Sequence, residues 1–131
     1  MAEFMFRKMV DDAGCAADYE VASAATSTEE LGNPVYPPAR RTLAAHGISC
    51  NGHSAHQITR SEYDYYDLIV CMDRNNLRNM RYVVGEDTEG KVIRLLDLTD
   101  NPRDVADPWY TGNFDVCYRD ILEGLQALMR L

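Results

Sequence analysis

The spacing of apolar residues changes several times along the chain. Between residues 2 and 14, Phe6, Met9, Val10 and Ala13 recur at helical intervals, and Gly14 follows as a stop. YEVASAAT (19–26) reads as a short strand. TSTEELGNPVYPPA (26–39) is turn-rich, broken by Asn33-Pro34 and Pro37-Pro38. PARRTLAAHG (38–47) opens on a proline suited to a first helical turn and stops at Gly47. Within SEYDYYDLIVCMD (61–73), the segment from Asp67 to Met72 is the clearest strand. Its run Leu68 to Met72 is continuously apolar, as in a strand covered on both faces. Asp73 is placed to cap a helix over RNNLRNMRYVV. KVIRLLDL (91–98) reads as a further strand and TDNPRDVADPWYTGN (99–113) as a long loop. FDVCYRDILEGLQALMRL (114–131) has the pattern of an amphipathic helix, with Val116, Ile121, Leu125 and Leu128 directed inward.

Helices alternating with strands predict a mostly parallel sheet in a three-layer α/β/α domain. In such sheets ligands bind beyond the carboxyl ends of the strands. The loop containing Asp107 follows the strand at 91–98, and Ser23 lies near the end of the strand at 19–26, so both can reach one crevice. The 131 residues contain no internal repeat and fit a single domain. At that length folding buries roughly 65–70% of the unfolded surface, enough for a real core.

The net charge of -8 argues against nucleic-acid and anionic-membrane partners, which reward clustered Lys and Arg. It leaves room for a local phosphate site. No apolar run approaches the ~20 residues of a membrane span. MAEFMFRKMV lacks the basic-then-apolar pattern of a secretory signal, so a cytosolic protein is expected. The four cysteines, Cys15, Cys50, Cys71 and Cys117, are widely spaced, and disulfides are not expected in that compartment. Cys71 and Cys117 fall in apolar patterns and read as packing residues. Cys50-x2-His53-x2-His56 has a metal-ligand spacing but lacks further ligands. A metal-binding α/β domain is therefore one alternative; the main reading needs no cofactor and no metal.

Five segments carry a resemblance: VASAATS (21–27), ELGNPVYPPARRTLAAHGI (30–48), GHSAHQIT (52–59), YDLIVCMDRNNL (66–77) and DVADPWYTG (104–112). In this order they resemble the low-molecular-weight protein tyrosine phosphatases, over essentially the whole chain. SAATS, CMD and DPWY are the most specific parts. Members of that family begin with an apolar strand and a phosphate-binding loop, C-x-G-N-x-C-R-S-P, and then a helix that starts much like MAEFMFRKMV. Met1 stands where that helix begins. The resemblance therefore implies a single truncated domain over 1–131, its first strand and catalytic loop missing. An upstream reading frame encoding C-x5-R-S/T-P would mark a late start.

The family's reaction is hydrolysis of phosphotyrosine or other aryl phosphates through a cysteinyl-phosphate. A thiolate attacks phosphorus, an arginine six residues on holds the phosphate oxygens, and an aspartic acid protonates the departing phenolate. Six residues after Cys15, Cys50, Cys71 and Cys117 stand Val21, His56, Leu77 and Glu123, so no cysteine has the arginine. An arsenate reductase of the same fold would need a redox cysteine pair near Cys71 as well, and none is present. The chain is thus expected to be inactive as it stands.

By resemblance, Asp107 corresponds to the general acid, and Trp109 and Tyr110 to the aromatic pair lining the phenyl slot. Asn33 and Tyr36 fall in the variable loop beside the substrate mouth, and Ser23 corresponds to a serine that supports the catalytic loop. Each also has an ordinary reading, as turn chemistry, loop packing or a strand-end hydroxyl. Arg74 departs from the acid that relatives often carry after CMD. The family's first strand lies between those matching 19–26 and 67–72. Its loss would leave two strand edges unpaired and favour self-association. A non-catalytic protein acting through such association is the alternative function.

Overall fold

Two short parallel strands divide the molecule into two cores. The computed structural model describes residues 1–26, 35–50, 55–108 and 112–131. β1 (Ile69–Cys71) pairs with β2 (Val92–Arg94), with Ile69 opposite Val92 and Cys71 opposite Arg94. Successive strand residues point to opposite faces. Ile69 and Cys71 accordingly join a cluster with Ile58, Tyr63, Met80 and Val84. Val70 and Met72 pack on the other side, against a larger cluster that includes Met5, Phe6, Leu43, Leu95, Ile121 and Leu125.

The helices distribute accordingly. α1 (Ala2–Asp12) buries Met5, Phe6 and Val10. α2 (Pro37–Ala45) starts on its prolines and buries Leu43. α3 (Arg60–Tyr65) and α4 (Arg74–Val84) cover the smaller cluster. α5 (Phe114–Met129) joins α1 and α2 on the larger one. The architecture is the expected three-layer α/β/α with a parallel sheet. Asp73 caps α4 as its position suggested: its side chain accepts the Asn76 N–H at 2.8 Å. Asn113 does the same for α5, accepting from Val116 at 3.1 Å. Ile121 and Leu125 are buried, while Val116 and Leu128 are only partly so.

Three local expectations are corrected, and one helix is added to them. Residues 19–26 do not form a strand; they contribute one isolated parallel bridge, Ala25 with Gln57. A strand exists through its pairing, and here the Val21 carbonyl is taken by the Arg7 guanidinium instead. The strand expected over 67–72 is shorter, Ile69–Cys71. The strand expected over 91–98 ends at Arg94, and Leu95–Leu98 form a 3₁₀ turn. Consecutive strand residues would face opposite ways, whereas the turn places both Leu95 and Leu96 in the larger core, each fully buried. Finally, residues 60–65 are helical. Thr59 accepts the Glu62 N–H at 3.2 Å and the Glu62 carboxylate accepts the Thr59 N–H at 3.1 Å, a reciprocal cap.

The chain enters β2 through a turn built on Tyr63. This ring is fully buried, and its hydroxyl donates to Asp87 Oδ1 at 2.6 Å while accepting the Glu89 N–H at 3.2 Å. Asp87 also accepts from the Lys91 N–H at 2.9 Å and the Val92 N–H at 3.0 Å. Arg60 and Lys91 place their cations 4.9 and 4.5 Å from the ring centroid. Burial alone would raise the Asp87 carboxyl, but the hydrogen bonds from Tyr63, Val92, Lys91 and Gly90 outweigh it and hold it below its ordinary value of 3.8. A lowered carboxyl stabilises the fold above the unfolded value and loses that contribution as pH falls through the folded one.

Asp87→Ala should cost about 1 kcal/mol at neutral pH, a figure kept small because the residue is exposed. In urea titrations, parent and variant should converge as the pH drops below about 4. Gly124 packs α5 against Leu95: a Cβ there would lie 2.3 Å from Leu95 Cγ. Gly124→Ala should therefore lower stability by about 1–2 kcal/mol, because overpacking exceeds the gain in helix propensity. Thermal unfolding would show it as a fall of several degrees in Tm.

Candidate active site

Asp107 stands at the end of a loop whose preceding residues are fixed one after another. Leaving the 3₁₀ turn, the Thr99 hydroxyl donates to the Leu96 carbonyl at 2.7 Å and accepts the Asn101 N–H at 3.2 Å. The Arg103 guanidinium donates to the Asn101 carbonyl at 2.8 Å and reaches α5, meeting Asp120 at 2.9 Å and Glu123 at 2.8 Å. Asp104 Oδ1 accepts from Arg94 of β2 at 2.9 Å and from the Arg74 backbone N–H, at the start of α4, at 3.0 Å. The buried Val105 donates its N–H to the Met72 carbonyl, just past β1, at 3.0 Å. The Ala106 N–H donates to Asp120 Oδ2 at 3.0 Å. The loop thus leaves the carboxyl end of the sheet tied to β1, β2, α4 and α5 together, at the edge where α/β sheets hold their ligands.

Asp107 lies within electrostatic reach of Cys117, on the first turns of α5. The Cys117 thiol is pushed up to about 11 by its burial first and, among the carboxylates, by Asp120 and then Asp107. Asp107 itself is half-buried. Tyr36, at the start of α2, packs its ring 6.0 Å from that of Phe114 at the first position of α5. Tyr36 and Asp107 therefore flank the same end of this helix. Ser23 belongs to the neighbourhood of α1: its hydroxyl donates to Glu3 at 2.6 Å, and Glu3 also pairs with Arg7 at 3.0 Å. The Met1 amino group is buried beside Cys117, Glu3 and Cys50, and burial lowers its proton affinity. The start of α1, with Ser23 on Glu3, thereby lies in the electrostatic neighbourhood of the same Cys117 on which Asp107 acts.

Asn33, Trp109 and Tyr110 lie outside the described residues. So does His53 of the Cys50–His53–His56 spacing. Cys50 is buried in the larger hydrophobic cluster, and His56 Nε2 meets Glu62 at 2.9 Å. Arg74 lies 3.8 Å from Asp104 through its side chain, besides holding it through the backbone. Cys71 faces the smaller core; burial first, and Asp73 second, push its thiol up to about 11. Thiols held protonated in this way are poor nucleophiles.

The residues that fix the loop were not among those singled out in the sequence. Arg103, Asp104 and Asp120 form their contacts across 10 to 30 positions of chain. Arg103-Asp104, separated from the DPWY segment by Val105 and Ala106, is the available signal, and it reads locally as ordinary loop polarity.

A family profile described as low molecular weight phosphotyrosine protein phosphatase matches residues 1–131. The chain is 32% identical to the low molecular weight protein-tyrosine-phosphatase YfkJ of Bacillus subtilis, over 98% of this chain and 84% of that protein. It is 35% identical to the low molecular weight phosphotyrosine protein phosphatase of Rattus norvegicus over the same shares. The crystal structure of YfkJ superposes with a TM-score of 0.92 at 31% identity, covering 98% of this chain and 82% of that one. Among the described residues no helix is long and apolar enough to cross a membrane. A whole-length family match, a shared three-layer fold and the ordered segments ending in DPWY agree: the chain belongs to the low molecular weight phosphotyrosine protein phosphatase family.

Proposed function

We propose that these residues form the acid and slot side of a site for aryl phosphate hydrolysis, with phosphotyrosine as the substrate class. In this reading Asp107 gives its proton to the phenolate oxygen as the P–O bond breaks. Its carboxylate then takes a proton from the water that cleaves the P–S bond of the cysteinyl-phosphate. Trp109, Tyr110, Asn33 and Tyr36 border the phenyl ring, and Ser23 supports the phosphate-binding side. The observation that carries the reading is the anchoring of residues 103–106, which presents Asp107 from a fixed backbone beside α5. A proton donor must be held within hydrogen-bond reach of the leaving oxygen, and a tethered loop does that.

The thiolate and the arginine that the reaction also needs are not among these 131 residues in C-x5-R form. The elevated thiols of Cys71 and Cys117 argue against either as a substitute. We therefore propose that the 131 residues alone are inactive on aryl phosphates and that both groups come from outside them. The cytoplasm suits a protein with unpaired, reduced cysteines.

A second reading, association without catalysis, draws on the sheet. β1 pairs with β2 on one side only, in a two-stranded sheet among the described residues. An open strand edge is a template for a second chain.

Assay of the 131 residues on phenyl phosphate and p-nitrophenyl phosphate should give background rates. A version extended at its amino end by a strand and a C-x5-R loop should turn over, and Asp107→Asn in that version should lower kcat on phenyl phosphate by roughly 100-fold or more. Turnover by the short form, or an unimpaired Asp107→Asn, would refute the reading. Sedimentation velocity at micromolar concentrations should give a dimer or larger species; a clean monomer would remove the association reading.

A further inference from the structure

We propose that Asp120 is a positioning residue for Asp107, a carboxylate on α5 that sets the backbone from which the proton donor is presented. The proposal rests on the reading of Asp107 as that donor. An isolated ion pair at a surface contributes little, and the Arg103–Asp120 contact alone would deserve no role. Asp120 differs in how its two oxygens are used. Its side chain is only 14% exposed. Oδ1 accepts from the Arg103 guanidinium at 2.9 Å and Oδ2 accepts the Ala106 N–H at 3.0 Å. Ala106 directly precedes Asp107. One residue earlier, the Val105 N–H points the other way, to the Met72 carbonyl at the end of β1. Two consecutive amides are thus held by different elements, one at the exit of β1 and one on α5, and the rotation of the chain into Asp107 has little freedom left.

The charges fit the same role. Asp120 and Asp107 both act on the Cys117 thiol, so the two carboxylates share one neighbourhood. Arg103 sits on Asp120 and also on Glu123, offsetting the negative charge that Asp120 would otherwise bring beside Asp107. Carboxylate chemistry is required at this position because both partners are donors. An asparagine offers one accepting oxygen and one NH2; the charged Arg103 donor takes the oxygen, and the NH2 is left facing the Ala106 N–H, whose hydrogen bond is lost.

Hydrogen exchange in the 131-residue chain tests the geometry. Asp120→Asn should speed exchange of the Ala106 amide by roughly tenfold or more, with the Ile69 amide, bonded to the Lys91 carbonyl at 2.9 Å, unchanged as the check on folding. Arg103→Met, which spares the Ala106 contact, should leave that amide protected. Unaltered Ala106 exchange in Asp120→Asn, or loss of its protection in Arg103→Met, overturns the proposal. Kinetics in the extended form test the role. Phenyl phosphate expels a basic phenolate that needs the proton, and p-nitrophenyl phosphate does not. Asp120→Asn should lower kcat roughly tenfold on the first, far less on the second, with KM unchanged. Equal losses on both substrates would mean a structural role only and overturn the proposal. If Asp107→Asn shows no dependence on the leaving group, the donor reading is what fails. If Asp107→Asn shows it and Asp120→Asn does not, the positioning role fails.

Discussion

The parallel pairing of β1 with β2 is the constraint on which the rest depends. Three residues on each strand fix which side chains face which helices. Ile69 and Cys71 look toward α3 and α4, while Val70 and Met72 look toward α1, α2 and α5. The hydrophobic free energy on each side, about 25 cal/mol per Å² of apolar surface removed from water, accrues only in this register. A slip of one residue would turn every side chain to the wrong layer. The sheet is small, so its ends matter as much as its middle. Immediately beyond β1, Asp73 caps α4 and the Met72 carbonyl receives the Val105 amide. Immediately beyond β2, the chain folds into the turn that buries Leu95 and Leu96. The site grows from these two exits.

Much of this was legible in the sequence, and the failures are instructive. The Asp73 cap and the prolines opening α2 are local devices, readable because each acts within one turn of chain. The Thr59-x2-Glu62 cap is equally local, but the apolar run at 68–72 is the stronger pattern in that segment, and residues 60–65 carry no assignment from the sequence. Among the described residues, 19–26 form one bridge and no continuous ladder, and a strand without a ladder is only extended chain. At 95–98 the alternation needed for a strand breaks, since two adjacent leucines enter one core.

The site divides in the same way. Asp107 could be picked out because DPWY lies in a longer ordered set of segments, which is information about a family. What fixes Asp107 could not be found that way. Arg103 and Asp120 meet because α5 packs on the 3₁₀ turn that leads into the loop. Loop anchoring of this kind is a property of the packed layers, with no periodicity of its own to betray it.

The two elevated thiols have a chemical consequence apart from catalysis. Oxidation by peroxide and alkylation both begin from the thiolate. Burial keeps Cys71 and Cys117 protonated at neutral pH. Cys50 is also enclosed, while Cys15, after α1, has a partly exposed side chain. Among the four cysteines of these 131 residues, electrophilic probes and mild oxidants should therefore mark Cys15 and pass over the buried three.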